Sequence, residues 1–69
     1  MEQHWYKLYS TCNYTEAGII QGMLEENQIP VRVMNKLDSS YLLFGEIEVY
    51  VPAHLKDLAQ SLLDKSILN

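Results

Sequence analysis

Cysteine is nearly missing from this chain, glycine and proline are sparse, and basic residues are outnumbered. Cys12 is the one cysteine, so no disulfide can close within the chain, and a reducing cytoplasmic setting is the expectation. Five Lys and Arg stand against nine Asp and Glu, for a formal net charge of −4. The bases Lys7, Arg32, Lys36, Lys56 and Lys65 are scattered, not gathered into the stripe that grips phosphates. Nucleic acid is therefore not an expected partner, and the same imbalance disfavours an anionic membrane surface. No apolar run approaches the ~20 residues of a membrane-spanning helix. Met1 to Tyr6 lacks the positively charged start and apolar run of a secretory leader. The three glycines, Gly18, Gly22 and Gly45, build no phosphate cradle. Spacings such as C-x-x-C or H-x-x-x-H are missing, and His4 and His54 stand at opposite ends of the chain. No metal and no cofactor is expected.

What is there reads as one small α+β domain over residues 1–69, with 48% apolar residues, too many for a disordered chain. A chain this short buries only ~60% of the surface its unfolded form exposes, so added burial through dimerisation would help it. Strands are expected at Trp5–Thr11, Val31–Asn35 and Glu46–Val51, with helices at Tyr14–Asn27 and Ala53–Ser66. Alternation places Tyr6, Leu8, Val31, Val33, Ile47, Val49 and Val51 on one sheet face. Trp5, Lys7, Tyr9, Arg32, Met34, Glu48 and Tyr50 fall on the other. Asn13 can cap the first helix, with Glu16 three residues on to reach back. Ala17, Ile20 and Leu24 form its apolar stripe, widened by Ile19 and Met23. It ends before Ile29-Pro30, because the residue before proline leaves the helical region. Gly18 and Gly22 fall on its outer side, either as a tolerated surface cost or as a point of close backbone approach. Pro52 opens the second helix, where Leu55, Leu58, Ala59, Leu62 and Ser66 share a face beside Leu63. The predicted order β-α-β-β-α is a ferredoxin-like two-layer sandwich without its last strand. The sheet runs 1-3-2, antiparallel, with both helices on one face. The first strand is left with an open edge.

The run Tyr9 to Ala17, with Asn13, Glu16 and Ala17 as an N-x-x-E-A helix start, continues through Ile20, Leu24, Ile29, Pro30 and Val31. It resumes at Gly45, Val49, Val51, Pro52 and Ala59. Across nearly the whole chain this resembles the small bacterial family catalogued as putative prokaryotic signal-transducing proteins, similar in fold to the PII regulators. The motifs that carry the resemblance are mainly structural. The resemblance implies a ferredoxin-like fold and a role in signal transduction, and brings no catalytic residues with it. PII proteins bind nucleotide between subunits with basic residues and backbone amides. The corresponding loop here, Lys36 to Phe44, offers only Lys36, with Arg32 nearby, which speaks against nucleotide binding of that type.

No constellation marks an enzyme. Cys12, beside the helix start, reads as a semi-buried structural thiol, although that position can activate one. Glu25 and Glu26 read as a solvated helix surface, and Asp38-Ser39-Ser40 as turn chemistry. The face bearing Trp5, Tyr9, Arg32, Met34 and Tyr50 is the candidate interface, since aromatics, methionine and arginine concentrate where proteins meet. The loop residues Lys36, Leu37, Tyr41, Leu42 and Phe44 are candidates for contact with a ligand or partner. The expected function is a non-enzymatic regulatory or protein-interaction module. It would self-associate or dock a partner through the open face, the first-strand edge and the 36–44 loop. The alternative is a sensor that binds an anion or nucleotide between subunits through Arg32 and Lys36.

Overall fold

Three strands and two helices follow one another in the expected order, in a computed structural model that describes residues 4–36 and 45–67. They are β1 (Trp5–Thr11), α1 (Tyr14–Glu26), β2 (Arg32–Asn35), β3 (Ile47–Pro52) and α2 (Lys56–Ile67). A 3-10 turn over Ala53–Leu55 leads into α2. The sheet is ordered β1-β3-β2, and both pairings are antiparallel. Among the described residues this is the ferredoxin-like arrangement short of one strand.

The chemistry of α1 explains both its ends. Asn13 Oδ1 accepts the backbone N–H groups of Thr15 at 2.8 Å and Glu16 at 3.2 Å, satisfying two of the donors that a helix start leaves open. Glu16 does not return to the Asn13 backbone. Its carboxylate accepts the Thr11 hydroxyl, and Thr11 Oγ1 accepts the Asn13 N–H at 3.0 Å. The far end closes before the proline has any part in it. Gln28 takes a left-handed conformation at φ 63°. Its N–H reaches Glu25 O at 3.0 Å, and the Ile29 N–H reaches Leu24 O at 3.0 Å. Those two bonds make a Schellman motif, and the buried pair Leu24 and Ile29 supplies its apolar contact.

The core joins one sheet face to both helices. Leu8, Val49 and Val51 from the strands meet Ile20 and Leu24 of α1, Ile29 beyond it, and Ala59 and Leu63 of α2. Val31 and Val33 lie half-buried at the margin. At ~25 cal/mol per Å² of apolar surface removed from water, this face is the main source of stability.

Three side chains depart from the expected faces. Ile19 of α1 is 64% exposed and Leu58 of α2 is 51% exposed, so neither widens the core. In α2 the buried stripe runs through Ala59 and Leu63, with Leu55 and Leu62 packed beside it, and Leu58 lies off its margin. The third is Tyr9. The β1–β3 register runs Lys7 opposite Tyr50 and then Tyr9 opposite Val49, with a shift between them. Leu8 is the extra residue of a β-bulge. Tyr9 therefore sits on the helix side with Val49, packed against the core, and not beside Trp5 on the outer face.

Candidate interaction surface

The sheet face away from the helices is organised by the cross-strand register. Trp5 lies opposite Pro52, Lys7 and Arg32 flank Tyr50, and Ser10 and Met34 flank Glu48. Of the expected interface residues, Trp5, Arg32, Met34 and Tyr50 share this face, and Tyr9 does not. Met34 is 44% exposed and Arg32 is exposed, while Trp5 and Tyr50 are half-buried. Of the candidate loop, Lys36 is described and exposed. Leu37, Tyr41, Leu42 and Phe44 lie outside the described residues.

Glu48 is the centre of the face. It is only 7% exposed, although no helix covers it. Among the described residues, the Tyr50 hydroxyl donates to Oε1 at 2.8 Å, Lys36 Nζ lies 3.2 Å from Oε1, and Lys7 Nζ lies 3.6 Å from Oε2. The Tyr50 hydrogen bond, then that of Lys36, holds the Glu48 carboxyl below its usual range. The same contacts with Glu48 raise Lys36 and Tyr50 above theirs. Glu48 and Lys7 were placed on this face by alternation alone. The signal for the network lay in the Glu48-x-Tyr50 spacing, which puts an acceptor and a donor on one side of one strand.

Arg32 has a different partner. Its guanidinium carbon sits 4.8 Å from the centre of the Trp5 ring, a cation–π stack that spans the sheet from β2 to β1. Among the described residues Arg32 makes no ion pair. Near the same end of β1, on the helix side, Lys56 Nζ lies 5.3 Å from the Tyr6 ring centre.

The remaining candidates are quieter. Cys12 is exposed, not semi-buried, with Sγ 3.5 Å from Gly45 O. Among the described residues, no three of His, Cys, Asp and Glu come together as a metal site. No helix among them is long and apolar enough to cross a membrane. A cleft of about 370 Å³ opens between Asn13, Thr15, Glu16, Ile19 and Ile20 of the α1 region and Ser66 of α2. Its one carboxylate, Glu16, is bound to Thr11. Tyr9 is pushed above its usual pKa by burial first and by the Glu16 carboxylate second.

A family model described as putative prokaryotic signal transducing protein matches residues 5–66, from the first residue of β1 into the last turn of α2. The chain belongs to that family. The match includes every element of the sheet and helix layers, so membership rests on the whole architecture and not on one motif. No curated protein and no solved structure matches the chain.

Proposed function

We propose that this family member is a non-enzymatic regulatory module of the cytoplasm that works by protein contact. Its contact surfaces are the uncovered sheet face, the outer edge of β1 and the segment beginning at Lys36, and they serve self-association or the docking of another protein. The observation that carries the reading is the outer face itself. Trp5, Arg32, Met34 and Tyr50 stand together on a side that neither helix covers, and these residue types dominate the energetics of protein interfaces. Among the described residues, β1 pairs only with β3, which leaves a row of backbone donors and acceptors open to another strand.

A ligand sensor built on Arg32 and Lys36 weighs less, because the first lies on Trp5 and the second on Glu48. A ligand would have to compete with both contacts. Sedimentation velocity across micromolar concentrations, followed in parallel by the emission of Trp5, tests the contact function. The expected result is a species above monomer mass that dissociates on dilution with a change in Trp5 emission. A strict monomer whose emission never changes overturns self-association. Retention of Trp5 emission in the presence of candidate partner proteins would then overturn docking on this face.

A further inference from the structure

We propose that the uncovered sheet face of one copy receives the outer side of α1 of a second copy, with Glu25 and Glu26 of that helix meeting Arg32 and Lys7. The proposal deepens the self-association named above and rests on it.

Charge is divided between the two layers of the domain. The outer sheet face carries Lys7, Arg32 and Lys36 against Glu48 alone, and Tyr50 and Lys36 already hold Glu48. On the other side, α1 carries Glu16, Glu25 and Glu26 and no base, while α2 balances Asp57 and Asp64 with Lys56 and Lys65. A cationic face and an acidic helix thus lie on opposite sides of one small chain. Patches of opposite sign speed encounter and select the partner.

The acids of α1 are unequal. Glu16 is engaged with Thr11. Glu25 and Glu26 are exposed and stand at the C-terminal end of the helix, where the macrodipole favours a cation. The last turn of α1 has no basic residue, and Glu25 accepts the Gln21 amide at 3.5 Å. Cations brought by a second copy would relieve that misfit. At 3.6 residues per turn, Gly18, Ile19, Gly22, Glu25 and Glu26 fall on the side opposite the buried Ala17, Ile20 and Leu24. The outer side of α1 is therefore a low ridge, with an exposed Ile19 and two glycines, that ends in two carboxylates.

The sheet face offers matching parts in matching places. Met34 follows Arg32 along β2 at roughly 6.6 Å. Gly22 and Ile19 lie about 4.5 and 9 Å behind Glu25 along α1. A helix laid along β2 with Glu25 at Arg32 sets its ridge over Met34, which is exposed. The Arg32 guanidinium, at 4.8 Å from the Trp5 ring centre, still has donors to give, and a carboxylate can take two of them. Lys7 lies in the same cross-strand row, beyond Tyr50, two strand spacings or roughly 9.6 Å away. Glu25 and Glu26 diverge by about 100° around the helix axis, so the second carboxylate reaches toward Lys7.

Charge also decides how two copies meet. A two-fold contact of sheet face on sheet face would bring Lys7, Arg32 and Lys36 of both together, and like charges set against each other are costly. Sheet face on α1 joins two different patches. Each copy then keeps one of each patch free, and the contact repeats into a ring or an open chain.

Sedimentation of the full chain tests this, with two neutral double variants. Lys7→Gln with Arg32→Gln disables the sheet face, and Glu25→Gln with Glu26→Gln disables α1. The wild type should gain mass with concentration beyond two copies. Salt at about 1 M, where the screening length is ~3 Å, should weaken its association by about tenfold. Each variant alone should remain a monomer at concentrations where the wild type associates, with an unchanged circular dichroism spectrum. Should the first variant misfold, Arg32→Gln alone replaces it. Mixed, the two variants should form a complex of one copy of each that grows no further, with a shift in the emission of Trp5, the only tryptophan. If the α1 variant associates like the wild type and the sheet variant does not, the contact joins two sheet faces. The proposal then falls and the contact function stands. Association that survives in both variants overturns the proposal, as do two monomeric variants that stay apart on mixing. A wild type that is a strict monomer overturns it together with self-association.

Discussion

Tyr50 donates its hydroxyl hydrogen to Glu48 over 2.8 Å, two residues back along β3 and on the same side of the strand. With Lys36 and Lys7 it encloses a carboxylate on a sheet face that would otherwise leave it in water.

The pH dependence follows from the direction of the Glu48 shift. Its folded pKa is depressed below the ordinary 4.5, so its stabilising contribution is complete above that value. The contribution is lost as pH falls through the folded pKa. Tyr50 and Lys36 are raised above 10.0 and 10.5, so their contributions are complete below those values and are lost as pH climbs past the raised ones. Thermal melts of the wild type and Glu48→Gln across pH should show the variant less stable at neutral pH. The gap should narrow as the solution is acidified below 4.5. A gap that stays constant into strong acid would contradict the network.

The order of elements and the sheet topology were legible because hydrophobic period, cap and proline signals agreed. Asn13, Pro52 and the alternation of Ile47, Val49 and Val51 each pointed to the element that formed. Tyr9 was not legible. Period two holds only while the ladder is regular, and nothing in Tyr6-Lys7-Leu8-Tyr9 announces that Leu8 is the extra residue. Leu58 failed for a different reason: it stands at the margin of the stripe that Leu55, Ala59, Leu62 and Leu63 form, and period alone does not say how wide the buried stripe is. The outer face was legible as a set of residues but not as a network. Which of Lys7, Lys36 and Lys56 would reach Glu48 or Tyr6 depends on side-chain reach across strands and helices.

Gln28 stands where helices most often place glycine. Its φ of 63° costs a residue with a Cβ about 1 kcal/mol. Gln28→Gly should therefore stabilise the fold by a little under that amount, once the looser unfolded chain is counted. Chemical denaturation gives the change directly. A loss of stability would mean that the Gln28 side chain, not its backbone, closes the helix.

Thr11 joins the end of β1 to the start of α1, donating to Glu16 and accepting from the Asn13 N–H. Thr11→Val and Glu16→Met should each destabilise by about 1 kcal/mol, the usual scale for a helix cap and its hydrogen bonds. The double variant should cost less than the two together, because both remove the same bond. Strict additivity in a denaturant cycle would show that the contact contributes nothing.

Gly18 and Gly22 separate a surface cost from a contact. Both are exposed, and a methyl group at either position would meet nothing within 4 Å among the described residues. Neither glycine serves a close approach by a described element of the same molecule. Gly22→Ala should then stabilise α1 by ~0.5–1 kcal/mol, since alanine loses less backbone entropy in a helix. Melting temperature and sedimentation measured on the same sample divide the remaining possibilities. A more stable chain with unchanged assembly makes Gly22 a tolerated surface residue. If the chain is more stable but its associated species is lost, a second copy packs its backbone against this side of α1, and the self-contact then includes the helix layer.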